Sequence, residues 1–116
     1  MQRLEALAET ALESSEGSID VAQAEGALRA WAAVDDVARR RVQEIDDLRL
    51  KHVATELRGL GADAETARRG AKVIYLTLLG LYTARRYTPE IADDEAFRYV
   101  VRQMLDDSKT NARRPP

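Results

Sequence analysis

Between Val73 and Tyr82 the chain reads VIYLTLLGLY, and Val73, Ile74, Leu76, Leu78, Leu79 and Leu81 leave no polar face over about three helical turns. A helix that is apolar all round has to be buried all round. The run is too short to cross a bilayer, which takes about 20 apolar residues, so it reads as the interior helix of a folded domain. At 116 residues the chain is the size of one domain, and a domain this small seldom encloses one of its own helices on every side. Two readings follow. Either a second chain covers part of this helix, or it is the central helix of a monomeric bundle.

The remainder of the sequence is helical in pattern. Ala, Leu, Glu and Arg dominate, and nowhere do apolar and polar residues alternate between turn signals as in a strand. Start and stop signals divide the chain into five helices. Helix one runs from about Gln2 to Ser14 on a stripe of Leu4, Leu7, Ala8, Ala11 and Leu12, and Ser15, Glu16 and Gly17 end it. Ser18 or Asp20 caps helix two, which continues through Ala33. Asp35 or Asp36 caps the long helix three, which Gly61 stops at a C′ position. Asp63 and Glu65 set negative charge at the start of helix four, where the exposed amides favour it, and that helix continues to about Arg86. After a break at Thr88, Pro89 and Glu90, Asp93 or Asp94 caps helix five through about Asp107. Residues 1–108 are expected to form one domain, and 109–116, basic and ending in two prolines, a disordered tail.

The charge balance narrows the function. A net charge of -2 argues against this chain holding nucleic acid directly, because phosphate neutralisation needs clustered basic residues. With no cysteine there are no disulfides, thiolate metal sites or Cys nucleophiles, which fits a cytoplasmic setting. The start, MQRLEALAET, lacks the basic, apolar and small-residue succession of a secretory signal. Glycine-rich phosphate loops, His-Glu-x-x-His and Gly-x-Ser-x-Gly are missing, and the single histidine cannot build a metal site, so neither an enzyme nor a cofactor is expected. Asp46 and Asp47, adjacent on a helix, diverge rather than share a substrate.

Two groups of residues are candidates for function. In helix four Gly70, Val73, Thr77, Gly80 and Ala84 align at steps of three and four, a small-residue track along which backbones can approach closely. Glycine costs about 1 kcal/mol in a helix interior, so Gly70 and Gly80 imply a packing reason. Helix five, with Phe97, Val100, Val101 and Met104 on its stripe, is the neighbour; with Leu76 added, these residues are the expected surface of a four-helix bundle shared by two chains. In helix three Arg49, His52 and Glu56 fall within the apolar arc of Ile45, Leu48 and Val53. Together with Trp31 and Tyr75 they can line a ligand pocket, polar groups fixing a molecule in a largely apolar cavity. The alternative is that Arg49 and Glu56 snorkel from the edge of the arc while His52 bonds within the fold.

From Glu25 to Tyr82, EGALRAWAAVDDVARRRVQEIDDLRLKHVATELRGLGADAETARRGAKVIYLTLLGLY, the sequence resembles the C-terminal regulatory domain of tetracycline-repressor (TetR) family transcription factors. The resemblance lies in LRAWAA from Leu28 to Ala33, Asp35 and an arginine-rich helix, then Leu60-Gly61 and an alanine-rich helix ending in LLGLY. These segments look like that family's sixth to eighth helices, and helices one and five here match its fifth and ninth. The resemblance implies an all-α, five-helix regulatory domain that dimerises through its last two long helices and senses a small apolar or amphipathic effector in a cavity among the preceding ones. The family's N-terminal helix-turn-helix DNA reader has no counterpart here; the expectation is a piece of a longer regulator, or a sensor and dimerisation domain that stands alone. DNA would then be contacted only through that missing domain, and no membrane is involved. The alternatives are a helical interaction module that heterodimerises with full-length regulators, and a ligand-independent structural dimer.

Overall fold

The computed structural model describes residues 3–17 and 19–112, with side chains for 4–12 and 26–112. The described residues are all-α: α1 (Arg3–Gly17), α2 (Ile19–Ala32), α3 (Asp36–Gly59), α4 (Ala64–Tyr87), a short 3-10 turn (Pro89–Ile91) and α5 (Asp94–Ala112). The expected caps of α2, Ser18 and the side chain of Asp20, and residues 113–116 of the expected tail lie outside the described residues.

Local chemistry sets the boundaries of the long helices. Asp35, with extended backbone, accepts a hydrogen bond from the Ala38 amide at 2.9 Å and so caps α3. At the other end Gly61 takes φ +117, its N–H bonds the carbonyl of Arg58 at 3.0 Å, and that of Ala62 reaches back to Leu57 at 3.2 Å. This is a Schellman closure, and its left-handed residue is the reason glycine stands there. Asp63 then caps α4 through the Thr66 amide at 2.8 Å.

α4 lies at the centre, packed most extensively against α3 on one flank and also against α5. Asp63 and Asn111 meet at one end of the α4/α5 pair and Arg85 and Asp94 at the other, so the two helices run antiparallel. Leu57 of α3, Ala67, Ile74 and Leu81 of α4, and Phe97, Val101 and Leu105 of α5 form one core with Leu4, Ala8 and Leu12 of α1. Polar ties reinforce the docking of α1: the Tyr82 hydroxyl donates to the Ala11 carbonyl at 3.0 Å, and Arg98 donates to the Glu9 carboxylate at 2.8 and 3.0 Å.

One expectation changes. Helix five does not stop at Asp107; it runs to Ala112, so the expected tail begins inside α5. Ser108 extends the buried stripe of Phe97, Val101 and Leu105 by one more turn, satisfying its hydroxyl on the Met104 carbonyl at 2.9 Å, and the Asn111 side chain accepts from the Asp63 amide at 2.5 Å. The apolar run of α4 is not enclosed by its own chain as the central-helix reading would have it: Ile74 and Leu81 are buried, but Leu76 is 66% exposed and Val73 37%. The partners α3, α5 and α1 all lie to one side, and none of the described residues covers the other.

Candidate functional site

Three helices bring their polar residues to one place. α2 contributes Arg29, α3 contributes Asp46 and, one turn on, Arg49, and α4 contributes Tyr75. The Tyr75 hydroxyl donates to Asp46 Oδ1 at 2.6 Å and accepts from Arg29 Nη2 at 3.0 Å and Arg49 Nη1 at 3.2 Å. Arg29 closes the ring through an ion pair of 2.5 Å to the same carboxylate oxygen. Tyr75 is buried, and the side chains of Arg29 and Asp46 keep only 28% and 26% of their exposure, so these charge-assisted bonds act in a partly dried environment.

The electrostatics follow from this geometry. Desolvation pushes the Asp46 carboxyl up, but the hydrogen bonds from Arg29 and Tyr75 and the charges of Arg29 and Arg49 outweigh it and hold the group below the usual carboxylate range. Burial raises the Tyr75 phenol, and its bond to Asp46 raises it further. The tyrosine therefore stays a neutral donor and the aspartate an ionised acceptor across the physiological range. Neither is set up as a base or nucleophile; the cluster is a fixed tie among three helices with Arg49 at its exposed edge.

Of the anticipated pocket residues, Arg49 and Tyr75 are brought into contact. Ile45, Val53 and Glu56 are half-buried beside them on α3, whereas Leu48 is 68% exposed, His52 is exposed and Trp31 is 57% exposed. The inner face of α3 is centred on Asp46, Val53 and Leu57, and Leu48 comes two residues after Asp46, which at 3.6 residues per turn carries it to the far side. Arg29 and Asp46 were not anticipated. The signal was present, since Asp46 stands four residues after Val42 and seven before Val53, inside the apolar arc. Reading Asp46 only as half of an adjacent pair with Asp47 hid it; the two do diverge, one inward and one into solvent.

The anticipated interface residues fall into three groups. Gly70, Phe97 and Val101 are buried inside the chain's own core. A Cβ on Gly70 would stand 2.8 Å from Leu57 Cδ1 and 3.6 Å from Met104 Sδ, so this glycine serves the contact of α4 with α3 and α5. Val73, Leu76 and Gly80 face outward, and a methyl added at Gly80 would meet nothing within 4 Å, while Thr77, Ala84, Val100 and Met104 are half-buried along the α4/α5 seam. Among the described residues no group of three His, Cys, Asp or Glu side chains could hold a metal, and no helix is long and apolar enough to cross a membrane. Compared with models of known protein families, with curated proteins and with solved structures, the chain matches none.

Proposed function

We propose that this chain is a homodimerising, effector-sensing domain of the TetR type, without a DNA reader among its residues, working in the cytoplasm. The observation that carries the reading is the outer face of α4, where Val73, Leu76 and the open Gly80 lie beside half-buried Val100 of α5. A leucine two-thirds exposed at the middle of the chain's most apolar helix gains about 1 to 2 kcal/mol from burial, and a second copy supplies that burial symmetrically. The sequence resemblance assigns dimerisation to these same two helices. The Arg29, Asp46, Tyr75 and Arg49 cluster supports the sensing half of the reading: it keys α2 and α3 to α4, so an amphipathic molecule that engages Arg49 moves helices coupled to the dimer face.

Size-exclusion chromatography with light scattering tests the dimer. The expected result is a dimer at micromolar concentration that becomes a monomer, with unchanged helical content, in Leu76→Glu. A monomeric parent chain overturns the proposal. For the effector, a thermal-shift screen of small amphipathic compounds should give binders whose stabilisation is lost in Arg49→Ala; stabilisation that survives that change places the site elsewhere.

A further inference from the structure

We infer that the last turn of α5, from Ser108 to Ala112, is a releasable clasp across the joint between α3 and α4, so that unwinding the end of α5 loosens the joint while the rest of the domain stays folded. Three helix ends meet there. α3 stops at Gly59, α4 starts at Ala64 and α5 stops at Ala112. The carbonyl ends of α3 and α5 thus lie beside the amide end of α4, an arrangement that the helix dipoles favour.

Two contacts make the clasp. The first sets backbone against backbone. A Cβ on Gly61 would stand 3.2 Å from the Ala112 Cα and 3.3 Å from the Ser108 carbonyl oxygen, as well as 2.2 Å from the Ala112 Cβ, so the connection between α3 and α4 rests directly on the last turn of α5. The second contact completes the start of α4. In a capping box the cap side chain accepts from the amide of the third helical residue, whose own Glu or Gln side chain reaches back to the amide of the cap. Asp63 makes the first half of this exchange with the Thr66 amide. Thr66 is neither Glu nor Gln, and the Asp63 amide donates instead to Asn111 Oδ1, while Asn111 Nδ2 donates to Asp63 Oδ2 at 3.5 Å. The box at the start of α4 is closed from α5, 48 residues further along the chain.

This turn is also the part of α5 held by the least apolar burial. Within it only Ser108 is buried; Lys109 and Asn111 are half-buried, and Thr110 and Ala112 are exposed. The earlier turns are fixed by Phe97, Val101 and Leu105 in the core. Local openings of low free energy occur where few apolar groups are buried, and helix ends are such places. Here an opening at the helix end has a second consequence, because it removes the partner of the Asp63 amide and the surface on which Gly61 rests.

Hydrogen exchange of the full chain, followed by NMR at denaturant concentrations below unfolding, tests the clasp. The amides of Gly61, Ala62, Asp63, Asn111 and Ala112 should share one opening, of lower free energy than the opening that exposes Ile74 and Val101. Free exchange at Asn111 and Ala112 beside a protected Gly61 and Ala62 means that the helix end frays alone, and overturns the inference. A joint as strongly protected as Ile74 overturns it too. In Asn111→Ala the amides of Gly61, Ala62 and Asp63 should exchange about tenfold faster, the scale of one hydrogen bond, and unchanged rates contradict the clasp. Adding Thr66→Glu supplies the missing half of the box within α4; it should slow Asp63 again and leave Gly61 and Ala62 fast. Recovery at all three positions would mean that the cap alone holds the joint, and no recovery at Asp63 would mean that Asn111 does not complete the cap; either result overturns the inference.

Discussion

At Tyr75 one hydroxyl carries three hydrogen bonds and links three helices, so single atoms there have measurable weight. Tyr75→Phe removes those bonds but leaves the Arg29 to Asp46 ion pair, and the expected loss is about 1 kcal/mol, or roughly 4 °C in Tm for a domain of this size. Asp46→Asn takes away the charge that both guanidinium groups surround; a loss of about 2 kcal/mol is expected at neutral pH, read by urea denaturation. The pH dependence separates the two variants. Because the folded carboxyl of Asp46 is held below its ordinary value, its contribution is complete above the unfolded carboxylate pKa near 4 and disappears as pH falls through the lower folded value. The parent chain and Asp46→Asn should therefore differ at pH 7 and converge as pH falls below the ordinary carboxylate range and through the lowered folded value, whereas the deficit of Tyr75→Phe should persist further into acid. At the alkaline end the raised Tyr75 phenol works in the other sense: above about pH 10 the unfolded chain ionises first, and stability falls.

The helices differ in what their glycines do, and substitution should reveal it. Gly61 closes α3 with φ +117, and a Cβ there would stand 2.2 Å from the Ala112 Cβ at the end of α5. Gly61→Ala is expected to cost about 2 to 3 kcal/mol, from a strained backbone and a displaced helix end together. Gly80 has open space around it, so Gly80→Ala at a concentration where the chain is monomeric should add about 0.5 to 1 kcal/mol through helix propensity alone. Gly70 lies between these two. Its added methyl meets the end of the Leu57 side chain, which can rotate away, and the gain in propensity offsets part of the overpacking. Thermal melts of the three variants should rank Gly80→Ala above Gly70→Ala and Gly70→Ala above Gly61→Ala; any other order contradicts the packing described.

For the molecule as a whole, α1 decides where the domain begins. Leu4, Ala8 and Leu12 are core residues beside Phe97, Val101 and Leu105, so α1 is part of the fold and not an appendage to it. Leu12→Ala should cost about 2 to 5 kcal/mol in chemical denaturation, a large share of the roughly 5 to 15 kcal/mol typical of such a domain, and the unfolding should remain one transition. The amino-acid sequence by itself determined the helical class, the order of the helices and most of their ends. These are set by neighbours along the chain: the 3.6-residue apolar spacing, Asp35 and Asp63 as caps, and Gly61 where the backbone must turn left-handed. Only tertiary structure decided which part of each apolar arc is covered. Leu48 and Leu57 are apolar residues on opposite sides of α3, and one is exposed while the other is buried because α2 and α4 touch only one sector of the helix. The same holds for Asp46, whose partner Arg29 is 17 residues away and whose second partner Tyr75 is 29 away. Periodicity marks a position as inward; it does not say what waits there, because that depends on how separate helices cross. Helix four shows both sides of this division. Its composition requires burial, and the fold supplies it on one side, leaving Val73, Leu76 and Gly80 outward because α3, α5 and α1 all reach α4 from the opposite direction.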